Sequence, residues 1–172
     1  MKILPTLCYC IIYLLYTNLL AIEGFVISSL LQPKSILRTP MSAFAREIVA
    51  TDGAPAAIGP YSQAVKTNGM LYVSGCIGIK RELGKLVDGG IGAQTRQVME
   101  NMKAIVEAGG SSMDKVVKTT VLMTDISSYP EVNAIYAEFF SSDAPPARAA
   151  YAVAALPAGA LIEIDCIAIA SS

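Results

Sequence analysis

The spacing of apolar positions changes along the chain, and each change marks an element. Ile3 to Ile22 is almost continuously apolar behind a single lysine, Lys2. From Phe25 to Arg46 the run gives way to Lys34, Arg38 and Arg46, to hydroxyls at Ser28, Ser29, Ser35, Thr39 and Ser42, and to no acid. Beyond it, Glu47 to Ala50 predicts a short strand and Gly53 to Pro60, rich in Gly, Pro and Ala, a loop. Ser62 to Lys66 and Met70 to Ser74 flank Asn68-Gly69, the pattern of a hairpin. Gly84 to Gly90 predicts a turn-rich loop. Ile91, Val98 and Ile105, with Met102 and Val106, predict a helix over Ile91 to Ala108 that stops at Gly109-Gly110. Lys115 to Met123 is rich in Val and Thr and reads as a strand. Ser128 and Glu131 have capping-box spacing ahead of a second helix, whose apolar stripe is Val132, Ile135, Tyr136 and Phe139. After the Pro145-Pro146 break, Ala147 to Ala154 and Leu161 to Ala170 predict the last strands.

These elements make an α+β domain, a sheet with two helices on one face. Val116, Val117, Val121 and Leu122, like Leu161, Ile162, Ile164 and Ile167, are apolar in a way that loads both faces of the sheet. Exposed apolar area costs about 25 cal/mol per Å², so the second face needs a cover. The simplest cover is another copy of the chain.

Three segments follow from the pattern: 1–24, a signal-like hydrophobic leader; 25–46, a basic transit-like segment; and 47–172, the domain. Lys2 ahead of the run and small residues Ala21 and Gly24 behind it read as a secretory signal, interrupted by Pro5, Thr17 and Asn18. A membrane anchor is the other reading, since the run is about long enough to span. The basic, acid-free segment has the composition of an organelle transit peptide, with a plain linker as its alternative. Together they resemble the bipartite presequences of algae and parasites with complex plastids. The secretory pathway, or the cytosol through a start at Met41, are the alternative destinations. No stable membrane association is expected once the leader is removed.

Composition removes several chemistries. The 172-residue chain is 53% hydrophobic and 16% charged, which excludes disorder for most of it. It has no histidine, so Ser-His and Cys-His pairs, His-ligated zinc and imidazole proton shuttles are excluded. The domain carries nine Lys and Arg against 13 Asp and Glu, a net of −4 without a basic run. That argues against nucleic acid as partner. Its two cysteines, Cys76 and Cys166, have neither zinc-ligand nor CxxC spacing. No metal is expected. Gly90 and Gly92 suggest a phosphate-binding turn, but the pattern fails at Thr95. Ser74-Gly75-Cys76 looks like a nucleophile site, yet it has no histidine base.

Arg148 stands out. It is the only arginine after Arg96, set in Pro145-Pro146-Ala147-Arg148-Ala149-Ala150 with no acid nearby in sequence. A guanidinium at the start of an apolar strand needs an anion, either a ligand or a distant carboxylate such as Glu163. Glu163 and Asp165 share one face of the last strand, where partly buried carboxylates do acid/base work or, more commonly, are plain surface acids. Tyr61 follows the rigid Gly59-Pro60 turn and is either a hydroxyl donor or a core residue. Asn133 is either a site residue or a solvated helix position.

Ala54-Pro55-Ala56-Ala57-Ile58-Gly59-Pro60-Tyr61-Ser62-Gln63-Ala64, Tyr72-Val73-Ser74-Gly75, Val132-Asn133-Ala134-Ile135-Tyr136, Pro146-Ala147-Arg148-Ala149-Ala150-Tyr151 and Ile162-Glu163-Ile164 with Ala168 together resemble the RidA (YjgF) family across the whole domain. The resemblance implies a chorismate-mutase-like α+β subunit, a homotrimer, and active sites in clefts between subunits. It implies hydrolysis of reactive enamines and imines, such as 2-aminoacrylate, 2-iminopropanoate and 2-iminobutanoate, to 2-oxoacids and ammonia, without a cofactor. It implies Arg148 as the substrate-carboxylate anchor, with Tyr61, Ser74, Gly75, Asn133 and Glu163 lining the cleft. Some members have cysteine where this chain has Ala150, so thiol chemistry is excluded there. Glu163, helped by the Tyr61 hydroxyl, then serves as the acid/base group, worth roughly 10²–10⁴-fold. RNA cleavage or translation inhibition, and a non-catalytic trimeric small-ligand-binding or chaperone-like module, are the alternative readings.

Overall fold

The computed structural model describes residues 45–170. The leader expectations for 1–24 and for nearly all of 25–46 lie outside the described residues. The chain forms β1 (Glu47–Val49), β2 (Ala64–Thr67), β3 (Met70–Ile77), β4 (Ile79–Lys80), β5 (Lys85–Leu86), α1 (Gly90–Ala108), β6 (Val116–Met123), α2 (Tyr129–Ala137), β7 (Ala147–Ala152) and β8 (Ile162–Ile169). Single 3₁₀ turns occur at Met113–Lys115, Ile126–Ser128 and Pro157–Gly159.

Six strands make one sheet in the order β1-β2-β3-β8-β6-β7. Neighbours are antiparallel except β6 and β7, which α2 joins as a parallel crossover. The last strand therefore sits in the middle, paired on both sides. Asn68 and Gly69 both take positive φ between β2 and β3, the backbone that a two-residue hairpin turn needs.

Alternation along the central strands decides what the helices cover. Leu71 and Val73 on β3, Val121 and Met123 on β6, and Ile162, Ile164, Cys166 and Ala168 on β8 are all buried on one face. Val98, Met99, Met102, Ile105 and Val106 of α1 bury against β3 and β8, and Val132 and Tyr136 of α2 complete that layer. Each large side chain so buried contributes about 1.5–3 kcal/mol. The sheet is thus mixed, with two helices on one face. Its other face is uncovered among the described residues: Tyr72, Ile169 and Tyr151 there remain 45%, 50% and 57% exposed.

The structure corrects three local expectations. The Gly84–Gly90 region is not all loop, because Lys85–Leu86 pairs with Ile79–Lys80 as a small separate hairpin. The capping box does not form: Ser128 is itself helical and makes no side-chain cap. Instead the Asp125 carboxylate accepts from the Ser127 N–H at 2.9 Å and from its hydroxyl at 2.6 Å, starting the turn that leads into α2. Finally, β3 is longer than the Met70–Ser74 strand the sequence suggests, and it contains a bulge. Val73 pairs with Cys166 but Cys76 with Ile164, so β3 holds one extra residue between them. That extra residue returns Cys76 to the buried face and turns Gly75 outward.

Candidate active site

Arg148 projects from β7 on the helix side of the sheet, in register with the fully buried Thr119 of β6. Its guanidinium lies 4.7 Å from the centre of the Tyr136 ring and 5.4 Å from that of Tyr129. Its Nη2 donates to the Tyr129 hydroxyl at 2.6 Å. The two tyrosines stand seven residues apart, two turns along one face of α2. Tyr136 is in turn held by a 2.8 Å hydrogen bond between its hydroxyl and that of Thr119. Burial raises the Tyr136 phenol, partly offset by the Thr119 bond and by Arg148.

The ion pairs among the described residues are Arg81–Asp52, Arg96–Glu138 and Lys103–Glu107. Arg148 is in none of them. The alternative of an internal pair with Glu163 is therefore wrong for the single chain. The guanidinium faces an open recess shared with Ile126, Ser127, Tyr129, Pro130 and Ala150.

Glu163 occupies the opposite face. On β8 it stands opposite Ile77 of β3 and Leu122 of β6, with Asp165 two residues on. Burial raises its carboxyl above the usual carboxylate range, and the neighbouring Asp165 charge raises it further. The recess around it is lined by Ile58, Tyr61, Ser74, Gly75, Ile77 and Pro157. The β3 bulge builds this recess. A Cβ on Gly75 would overlap the Glu163 carboxylate, so the carboxylate rests directly against glycine backbone. The Ser74 hydroxyl donates to the Ser62 carbonyl at 2.7 Å, and Ser74 N–H donates to Gln63. That hydroxyl hydrogen is thus engaged inside the protein, and the side chain ties β3 to the loop carrying Tyr61. The Tyr61 hydroxyl accepts a 3.4 Å bond from the Ile58 N–H and keeps its own hydrogen for another acceptor.

Tyr61, Ser74, Gly75 and Glu163 therefore come together, while Arg148 stands apart with α2. Asn133 is exposed on α2, one turn beyond Tyr129, and lines neither recess. Cys76, behind the bulge, is buried and its thiol is pushed up to about 12, by burial first and then by Glu163 and Asp165. Burial likewise raises Cys166. Neutral, enclosed thiols of this kind are not nucleophiles. Among the described residues no group of three or more His, Cys, Asp or Glu is placed to hold a metal ion. Sequence reasoning missed Tyr129 and the stacking function of Tyr136. The signal was present, since two tyrosines seven apart on a helix next to an acid-free arginine strand can satisfy a cation by their ring faces.

The chain matches the family model described as Endoribonuclease L-PSP over residues 51–170. It is 49% identical over 129 residues to the 2-iminobutanoate/2-iminopropanoate deaminase of Homo sapiens, covering 75% of this chain and 93% of that protein. It is 45% identical over 144 residues to the chloroplastic Reactive Intermediate Deaminase A of Arabidopsis thaliana, covering 84% of this chain and 76% of that protein. The crystal structure of RidA from an Antarctic Psychrobacter superposes with a TM-score of 0.69 at 46% identity, covering 72% of this chain and 98% of that one.

Proposed function

This chain belongs to the Endoribonuclease L-PSP family, the RidA or YjgF family, and from that membership we propose how its site works. The protein is a hydrolase of reactive imines. It converts 2-iminobutanoate and 2-iminopropanoate, the latter also arising from its enamine tautomer 2-aminoacrylate, to 2-oxoacids and ammonia. The observation that carries the site reading is the Arg148 guanidinium, seated against tyrosine rings in an open recess without an acid partner among the described residues. A planar fork in that state suits the carboxylate common to all these substrates.

The imine carbon is already electrophilic, so the protein's task is to place water and move protons. The Glu163 carboxylate, made more basic by burial and by Asp165, takes a proton from the attacking water as its oxygen bonds to the imine carbon. The C=N pair moves to nitrogen, and Glu163 returns the proton there. Glu163 then relays the carbinolamine hydroxyl proton to the amino nitrogen, the C–N bond breaks, and ammonia leaves as the ketone forms. The Tyr61 O–H supports the departing nitrogen or the developing hydroxyl. Ser74 and Gly75 hold the Glu163 side of the cleft, while Asn133, outside both recesses of the single chain, has no part in these steps. No metal or cofactor takes part in these steps.

Arg148 and Glu163 lie on opposite faces of one sheet, so one chain does not bring them to a common substrate. The exposed apolar face with Tyr72, Tyr151 and Ile169 supports packing against further copies. A cyclic homotrimer then sets the Glu163 recess of one copy beside the Arg148 recess of the next. Co-expression of Arg148→Ala with Glu163→Gln tests this. Each variant alone is inactive; the mixture regains about a quarter of wild-type activity, the share of interfaces that inherit both intact groups in random cyclic assembly. A mixture as inactive as its parents sinks the shared site. Wild-type protein that does not speed 2-oxoacid and ammonia release behind a dehydratase sinks the deaminase.

The domain is 47–172, behind an organellar leader. A family match that starts at residue 51 and a chloroplastic relative support a plastid destination. The order of an apolar 1–24 before a basic 25–46 supports a two-step route into a complex plastid. Residues 1–46 fused to a fluorescent protein test it, and a cytosolic signal refutes it. RNA cleavage is disfavoured by the net charge of −4 over residues 47–172 and by the missing histidine.

A further inference from the structure

We propose that Tyr129 is a second member of the carboxylate-binding cradle: its hydroxyl fixes the Arg148 guanidinium and gives its own hydrogen to the bound acid. The inference rests on the reading of Arg148 as the anchor and adds a residue to it.

Three observations carry it. First, the 2.6 Å bond from Arg148 Nη2 makes the Tyr129 oxygen an acceptor. A hydroxyl that accepts from a cation is polarised, and its remaining hydrogen becomes a better donor. Among the described residues that hydrogen has no acceptor. Second, Tyr129 and Arg148 line the same recess, whose other walls are Ile126, Ser127, Pro130 and Ala150. An acid entering there meets the arginine fork and the phenolic O–H together, against largely apolar surroundings. Third, the guanidinium is restrained on two sides. The Tyr136 ring, fixed by Thr119, covers one face, and the Tyr129 oxygen holds one terminal nitrogen. One of the five N–H donors is used, and four remain. Arg148 thus meets the substrate with its rotation already limited, which lowers the ordering cost of binding.

Tyr129 acts partly through Arg148 and partly by direct contact, and the two roles separate experimentally. Tyr129→Phe keeps the ring and removes only the oxygen. With 2-iminobutanoate generated in situ by a dehydratase, KM is expected to rise about 3- to 10-fold while kcat stays within about twofold, the pattern of lost uniform binding. Affinity for the product 2-oxobutanoate, measured calorimetrically, falls by the same factor. In an Arg148→Lys background, where the fork is gone, the same substitution has less than half that effect on a logarithmic scale. An unchanged KM and product affinity in Tyr129→Phe, with Arg148→Ala inactive, overturns the role of Tyr129 and leaves the anchor standing. A fall in kcat alone, or a drop in melting temperature matching the loss of activity, also overturns it, because either marks a structural role. Full activity in Arg148→Ala overturns the anchor, and the inference with it.

Discussion

Gly75→Ala separates the fold from the chemistry. The added Cβ would overlap the Glu163 carboxylate and lie 2.7 Å from its Cδ and 3.0 Å from its Cγ. Every atom it meets first belongs to that one flexible side chain, and Gly75 is not among the positive-φ glycines. The backbone therefore accepts alanine, and Glu163 gives way. Moving Glu163 off its rotamer costs about 0.5–1.5 kcal/mol. The loss of unfolded-state freedom offsets about 0.4–1 kcal/mol of that. The net change is about 1 kcal/mol or less, a shift of a few degrees at most in melting temperature for a domain of this size. Catalysis suffers far more, because the displaced carboxyl no longer reaches water and nitrogen. The expected fall in kcat is about 10²-fold, the lower end of what a positioned acid/base group supplies, with the affinity for 2-oxobutanoate nearly unchanged. Calorimetric melting and a dehydratase-coupled ammonia assay give both numbers from one preparation. An active Gly75→Ala whose crystal structure shows Glu163 swung away would refute Glu163 as the acid/base group. A melting temperature lower by ten degrees or more would refute the claim that only a side chain yields.

Two further outcomes follow. Burial, and then Asp165, raises Glu163, so the acid limb of kcat/KM is expected above the ordinary carboxylate range. Asp165→Asn removes the like charge and moves the limb to lower pH, and a limb that ignores this substitution rejects the assignment. Tyr136→Phe deletes the partner of the fully buried Thr119 hydroxyl. It is expected to destabilise by about 1–3 kcal/mol in urea unfolding, and no measurable loss would show that Thr119 finds another partner.

The sequence made some of this legible and concealed the rest for identifiable reasons. The period of apolar residues located both helices, and Asn68-Gly69 located the hairpin, because those signals are local. The bulge at Ser74-Gly75 was not readable, since an extra residue in a strand exists only relative to its partner β8. The cap ahead of α2 was misassigned because Ser128-Glu131 and Asp125 both fit a helix start, and only the turn at Ile126–Ser128 decides between them. Arg148 was recognisable from its acid-free neighbours. Its rings were not, because Tyr129 and Tyr136 approach it from a helix rather than from its own strand. Glu163 and Tyr61 were named by residue type, but their shared recess depends on the loop that Ser74 pins through Ser62.

Arg148 looks toward the helices and Glu163 looks away from them, and that division has a consequence for dose. In the proposed shared cleft, a solitary chain carries both groups yet cannot bring them to one substrate. Turnover then scales more steeply than the amount of protein near the dissociation threshold, and is linear only well above it. Dilution of the proposed trimer below that threshold would lower activity per chain, and reconcentration would restore it.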